Sequence, residues 1–198
     1  MARPRAFDEG VVLDRAMDVF WHRGYEGAAM SDLSAAMELN SPSIYAAFGS
    51  KRGLFDAVLK RYLERRESFR RAIAEAPTAR AAAERMLYGA IDWLVCSEEP
   101  LGCLLIQAGL STGRGNEVVP AILAEKRGQL EKVLQKRFVQ AQADGDLAAS
   151  ADPSKLAKFI NLVFMGLAVQ AAAGVPRRTL REIVKSAFAG WPPNKLHS

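Results

Sequence analysis

The stretch AMSDLSAAMELNSPSIYAAFGSK, residues 29–51, decides how the chain folds. It reads as two short helices around a tight turn. Ser31 is placed to cap the first, whose apolar Leu33, Ala36 and Met37 recur at helical spacing until residues 38–40 break the pattern. Ser41 offers a second cap oxygen, and Pro42 takes the first helical position, where a missing N–H costs nothing. The helix over 42–48 is apolar along Ile44, Ala47 and Phe48 and presents Ser43, Tyr45 and Ala46 on its other side, and Gly49 ends it. A helix-turn-helix of this kind, about residues 29–48, lays its second helix in the DNA major groove.

The flanks carry the same message. An amphipathic helix over 8–23 holds Val11, Val12, Ala16, Val19 and Phe20, and Gly24-Tyr25 closes it. Ser50-Lys51 leads into a helix with Leu54, Phe55, Val58, Leu59, Tyr62 and Leu63 on one face, expected as a single rod over 51–74. Phe20 with Gly24-Tyr25, Met30-Ser31-Asp32-Leu33, Pro42-Ser43-Ile44-Tyr45, Phe48 and Ser50-Lys51 followed by Leu54-Phe55 resemble the N-terminal domain of TetR/AcrR-type bacterial regulators. The resemblance covers residues 6–66, about a third of the chain. One departure is Glu38, where the family usually has glycine; a side chain there is strained if its φ is positive.

Charge adds little. The formal net charge of +5 suits a polyanionic partner. Through Arg66, however, ten Lys/Arg face nine Asp/Glu, and no Lys or Arg stands between Arg23 and Lys51. The DNA argument therefore rests on motif geometry, with cations only at its edges: Arg3, Arg5, Lys51 and Arg52. No apolar run reaches the ~18 residues of a membrane helix, and MARPRAFDEG lacks the apolar core of a signal peptide, so a cytoplasmic protein is expected.

Beyond residue 51 the chain reads as helix throughout, with no alternating strand pattern. Thr78 caps a helix to about Cys96; a short apolar helix covers 103–110; a long one runs over 118–144 until Gly145. Asp152-Pro153 starts an apolar helix through 173, and Thr179-Leu180-Arg181-Glu182 reads as a capping box opening the last, to about Trp191. The expectation is an all-α fold of about nine helices, with a DNA-binding domain over 6–66 and a ligand-binding and dimerisation domain over 67–198.

The penultimate helix is apolar nearly all round, so it needs cover on more than one side. Either it is simply a core helix, or one side packs on a second subunit. The resemblance favours the second, since such regulators dimerise through their last two helices; Val163, Leu167, Ala171, Ile183, Ala187, Phe188 and Trp191 are the candidate interface. A two-fold dimer also matches two half-sites of a palindromic operator. The family pattern further implies DNA contacts from Ser31, Ser41, Pro42, Ser43, Tyr45, Ala46 and Lys51, with Tyr45 and Lys51 on phosphates. Arg3 and Arg5, in a short Pro4-containing segment before the first helix, are candidates for an arm along the backbone or in the minor groove.

Catalytic chemistry has little to stand on. The histidines are His22 and His197, and no HExxH, P-loop, GxGxxG or Ser/His/Asp arrangement occurs. Cys96 and Cys103 read as small buried residues; the alternative is redox or electrophile sensing by Cys103 at a helix start, as in a Gly-Cys-Leu subgroup that this chain resembles. Met86, Trp93, Cys103, Gln107, Phe138, Phe164 and Gln170 combine apolar walls with a few polar groups, as a site for a small, largely apolar effector requires. The expected function is a homodimeric, ligand-responsive repressor, neither enzyme nor metalloprotein. Its rival is a DNA-associated structural or interaction module that needs no ligand.

Overall fold

The computed structural model describes residues 7–96, 99–110 and 118–191. Among these there are ten helices and no strand: α1 Glu9–Gly27, α2 Met30–Met37, α3 Ser41–Phe48, α4 Lys51–Arg65, α5 Glu67–Ala74, α6 Ala79–Leu94, α7 Leu104–Leu110, α8 Val118–Ala143, α9 Pro153–Ala172 and α10 Arg177–Phe188. The all-α expectation holds. The chain divides into one unit of Met1–Arg66 with Gln107–Ala121 and a second of Glu67–Ile106 with Ile122–Ser198.

In the first unit, the Asp8 carboxylate caps α1, accepting from the N–H groups of Gly10 at 2.8 Å and Val11 at 3.3 Å. The helix does not stop at Gly24 as expected. Gly24 takes φ 69°, a kink that glycine tolerates, and helical backbone resumes to Gly27. The apolar stripe of α1 (Val12, Leu13, Ala16, Met17, Phe20, Trp21) is buried, and α4 answers with Leu54, Phe55, Val58, Leu59 and Tyr62. Phe55 meets Phe20 edge-on and also Tyr25, each at 4.9 Å between ring centres, while Trp21 meets Tyr62 at 5.4 Å. Each such burial contributes roughly 1.5–3 kcal/mol, so this aromatic seam holds the unit. Beside it Asp14 receives a bidentate pair from Arg61, at 2.6 and 2.8 Å, and a contact from Arg65 at 2.6 Å.

The rod expected over residues 51–74 is two helices. Arg66 leaves helical geometry at φ −98°, ψ 3°, and α5 restarts at Glu67. That break turns the expected nine helices into ten.

In the second unit, α6 packs against α5, α9 and α10, and α9 packs against α10. The Thr78 hydroxyl caps α6 through the N–H of Ala81 at 3.0 Å, as the sequence predicts. Asp146 adds a second acceptor on the N–H of Ala79 at 2.6 Å, and Arg137 of α8 donates to the carbonyls of Ala76 and Pro77, each at 2.7 Å. The turn between α5 and α6 is therefore satisfied from outside, by charged groups on and after α8. Asp152 caps α9 by accepting from Ser154 and Lys155, again as predicted. The Thr179 capping box is not formed: α10 begins at Arg177 behind Pro176, so Thr179 lies inside the helix. The last helix also ends at Phe188, short of Trp191. The 20-residue α9 is by length and composition apolar enough to cross a membrane. Its buried side carries Ala157, Ile160, Phe164, Leu167, Ala168 and Ala171.

Candidate nucleic-acid interface

The helix-turn-helix is built as the sequence suggests, with the caps shifted. Ala29, not Ser31, precedes α2; its N–H donates to the Asp32 carboxylate at 3.3 Å, and Arg23 holds that carboxylate at 2.5 Å. Asn40, not Ser41, caps α3, its Oδ1 accepting from the N–H of Ser43 at 2.9 Å. Ser41 and Pro42 are then the first two helical residues, and the Ser41 hydroxyl lies 3.0 Å from that of Ser34. Between the helices Glu38 adopts φ 53°, the left-handed conformation that glycine would take freely. The Arg15 guanidinium lies 2.9 Å from the Glu38 carboxylate. Leu33, Met37 and Ile44 bury the inner side of the motif.

What remains outward is small and mostly uncharged. Ser31, Pro42, Tyr45 and Ala46 are exposed, with Tyr45 at 46%, while Ser41 and Ser43 are half-buried. Ser43 is thus less open than its spacing suggests, because it sits under the Asn40 cap. Lys51 begins α4 half-buried: its ammonium is 4.7 Å from the Tyr25 ring centre and donates to the Glu26 carbonyl at 3.4 Å. Burial pulls its pKa down, with Glu26 opposing. Just before it, Ser50 caps the N–H of Gly53 at 3.0 Å. A Cβ on Gly53 would stand 2.0 Å from the Phe48 carbonyl oxygen, so the α3–α4 corner requires glycine. Glycine inside an apolar helical pattern is itself a signal of such close approach. Arg3 and Arg5 lie outside the described residues.

The expected interface and pocket residues do not stay in their groups. On α9 and α10, Leu167, Ala171 and Phe188 are buried within their own unit, so they leave the outward face; Val163, Ala187 and Trp191 are half-buried and Ile183 is 41% exposed. The exposed apolar stripe is instead Phe159, Leu162 and Val169, with Gly166 between them. Gln170 lies on that side too, lining with Val163, Gly166, Val169 and Ile183 a shallow apolar groove of about 470 Å³ rather than an interior site. Phe138 joins Trp191 at 6.0 Å, and Trp191 meets Phe188 at 5.5 Å. Trp93 and Phe164 do come together, at 6.0 Å, and Phe69 also meets Trp93, at 6.0 Å. Met86 and Cys103 are buried, and Gln107 falls in the segment that groups with the first unit. Cys103 directly precedes α7, and Cys96 is half-buried; both are thiols.

A capped helix with an exposed Pro-x-x-Tyr-Ala edge, braced by a buried three-helix scaffold, defines a helix-turn-helix DNA-binding regulator. The comparisons carry this further. The family described as bacterial regulatory proteins, tetR family, matches residues 12–58, and the tetracyclin repressor-like C-terminal domain matches residues 82–187. The HTH-type transcriptional repressor ComR of Escherichia coli (strain K12) is 30% identical over 192 residues, spanning 96% of this chain and 91% of that protein. The repressor DhaR of Mycobacterium sp. (strain GP1) is 25% identical over 92% of this chain and 91% of its own length. Among solved structures, a cysteine mutant of the TetR family regulator CifR, complexed with 26bp double-strand operator DNA, superposes with a TM-score of 0.91 at 44% identity, covering 96% of this chain and 100% of that one. The chain belongs to the TetR family and is a transcriptional regulator.

Proposed function

We propose that the chain is a cytoplasmic repressor that binds a roughly palindromic operator as a homodimer and lets go when a small molecule enters its C-terminal unit. It acts by binding and carries out no catalysis. The observation that carries the DNA reading is the exposed edge of α3, where Pro42, Tyr45 and Ala46 stand clear of a helix pinned by Asn40 and Ile44. Such an edge reads bases through the Ala46 methyl on thymine and the hydroxyls of Ser31 and Ser43, while Tyr45 and Lys51 reach phosphates. The operator complex of the CifR mutant supports the same reading.

Dimerisation is assigned to the outer stripe of α9 (Phe159, Leu162, Gly166, Val169) with Ile183 of α10, since so much contiguous exposed apolar surface calls for cover. The effector is assigned to the core around Met86, Trp93, Cys103 and Phe164, where aromatic walls meet. Because α4 ends at Arg65 and α5 restarts at Glu67, residues 51–74 do not act as one rigid helix. The effector acts by binding more tightly to the conformation that cannot hold DNA, and only by that difference in affinity.

Selection from a random double-stranded DNA library with the full chain tests the proposal. Enrichment of two inverted half-sites is expected. Recovery of unrelated sequences, or of a single half-site, would refute it.

A further inference from the structure

Asn161 of α9 is the one buried polar or charged residue among the described residues, at 4% exposure. Its Nδ2 donates to Glu131 Oε2 of α8 at 3.0 Å. Its Oδ1 is buried and has no hydrogen-bond partner. The way round is dictated by chemistry, because an ionised carboxylate only accepts; the amide nitrogen must face Glu131 and the oxygen must face away. The amide is therefore locked with its acceptor presented.

A locked, unpaired acceptor in an apolar core works against folding, and a leucine, branched at the same carbon, would remove that penalty. One reason such a group is retained is that something arrives to pair with it. Its surroundings suit an arriving molecule. One helical turn along α9, Phe164 faces Trp93 at 6.0 Å between ring centres, and Trp93 faces Phe69 at 6.0 Å. Arg127, one turn before Glu131 on α8, is engaged elsewhere, donating to the Leu105 carbonyl at 2.7 Å.

We infer that Asn161 is the polar anchor of the effector site and selects small aromatic molecules bearing a hydrogen-bond donor, a hydroxyl or an ammonium, over analogues without one. The inference rests on the effector reading above and names the ligand chemistry of that site. Asn161 Oδ1 accepts the ligand's hydrogen, Glu131 holds the amide in place, and the rings of Trp93 and Phe164 cover the apolar body. Sites built around a hydrogen-bond partner reject analogues lacking it far more strongly than apolar pockets reject a missing methylene.

Thermal shift on the full-length protein tests this with 2-phenylethanol and 2-phenylethylamine against 2-phenylethyl methyl ether and ethylbenzene. At least one donor-bearing compound is expected to bind about tenfold more tightly than both donor-free ones, and which of the two it is separates a neutral from a cationic ligand. In Asn161→Leu that ratio falls to about one, while the ligand-free Tm stays level or rises because the unpaired acceptor is gone. Asn161→Ala gives the same comparison if the leucine variant does not fold. Glu131→Gln, which frees the amide to turn, lowers the preference without abolishing binding. A residue that merely bridges α8 and α9 would lower the Tm on substitution and leave the preference unchanged, overturning the inference. Equal binding of all four compounds to the wild type would also overturn it, while leaving the effector reading intact. If none of the four binds, the anchor and the assignment of the effector to this core fail together.

Discussion

Arg15 of α1 reaches across to Glu38, 2.9 Å away, the one non-glycine residue of positive φ among those described. The turn between α2 and α3 thus combines a strained backbone with a tether to the first helix. The two effects differ in size. A side chain at φ 53° costs about 1 kcal/mol. The ion pair joins side chains 39% and 74% exposed and contributes little in water. Glu38→Gly is therefore expected to stabilise the protein by about 0.5–1 kcal/mol, whereas Glu38→Ala, which loses the pair and keeps the strain, changes it by less than about 0.5 kcal/mol. Urea denaturation of the two variants measures this; equal effects would show that the strain account is wrong.

Acid sensitivity of the first unit is expected at Asp14. The Arg61 hydrogen bonds hold its carboxyl below the ordinary aspartate pKa, aided by Arg65 and opposed by burial. A carboxylate depressed on folding stabilises above its unfolded pKa, near 3.9, and that contribution fades as pH falls through the lower folded value. Asp14→Asn should cost about 1 kcal/mol at pH 7, a low figure because a third of the side chain meets solvent, and the loss should shrink as pH falls below the unfolded aspartate pKa. Melting curves from pH 7 down to 2.5 provide the check; a pH-independent difference would point to packing instead.

Assembly is tested by two leucines on α9, Leu162 and Leu167. Leu162 is 57% exposed and Leu167 only 1%. Leu162→Glu should give a folded monomer with weakened operator binding, while Leu167→Glu should unfold the second unit, since an unpaired carboxylate cannot be buried there. Sedimentation with circular dichroism distinguishes them. A dimeric Leu162→Glu would move the interface elsewhere.

Much of this architecture is legible in the residues, and the misplacements have physical causes. In Asn40-Ser41-Pro42 two adjacent side chains can cap, and proline suits either of the first helical positions, so the sequence alone cannot separate them. Arg66 carries neither the glycine nor the proline that marks a helix break, so α4 and α5 read as one. On α9 apolar residues circle the helix, leaving no period from which to tell Leu167, which is buried, from Leu162, which is not. The same lack of a period hides which way Asn161 faces, although a lone amide in an apolar helix is a signal in itself.

Lys51 should contribute one phosphate contact and some stability. Lys51→Ala is expected to reduce the slope of log affinity against log salt by about 0.9, on operator and unrelated DNA alike. Removing the ammonium from the Tyr25 ring should cost about 0.5–1 kcal/mol of stability. Titrations at several salt concentrations read the first and a melting curve the second; an unchanged slope would keep Lys51 off the DNA.

The exposed edge of α3 is assigned the reading of DNA sequence. Fluorescence anisotropy at near-physiological salt, comparing a library-selected duplex with its scrambled counterpart, tests it most directly. The wild type is expected to favour the selected duplex by about a thousandfold or more. Tyr45→Ala combined with Ala46→Glu, both at exposed positions, should bring that ratio towards one with the Tm nearly unchanged. A ratio that survives the double substitution would contradict the account.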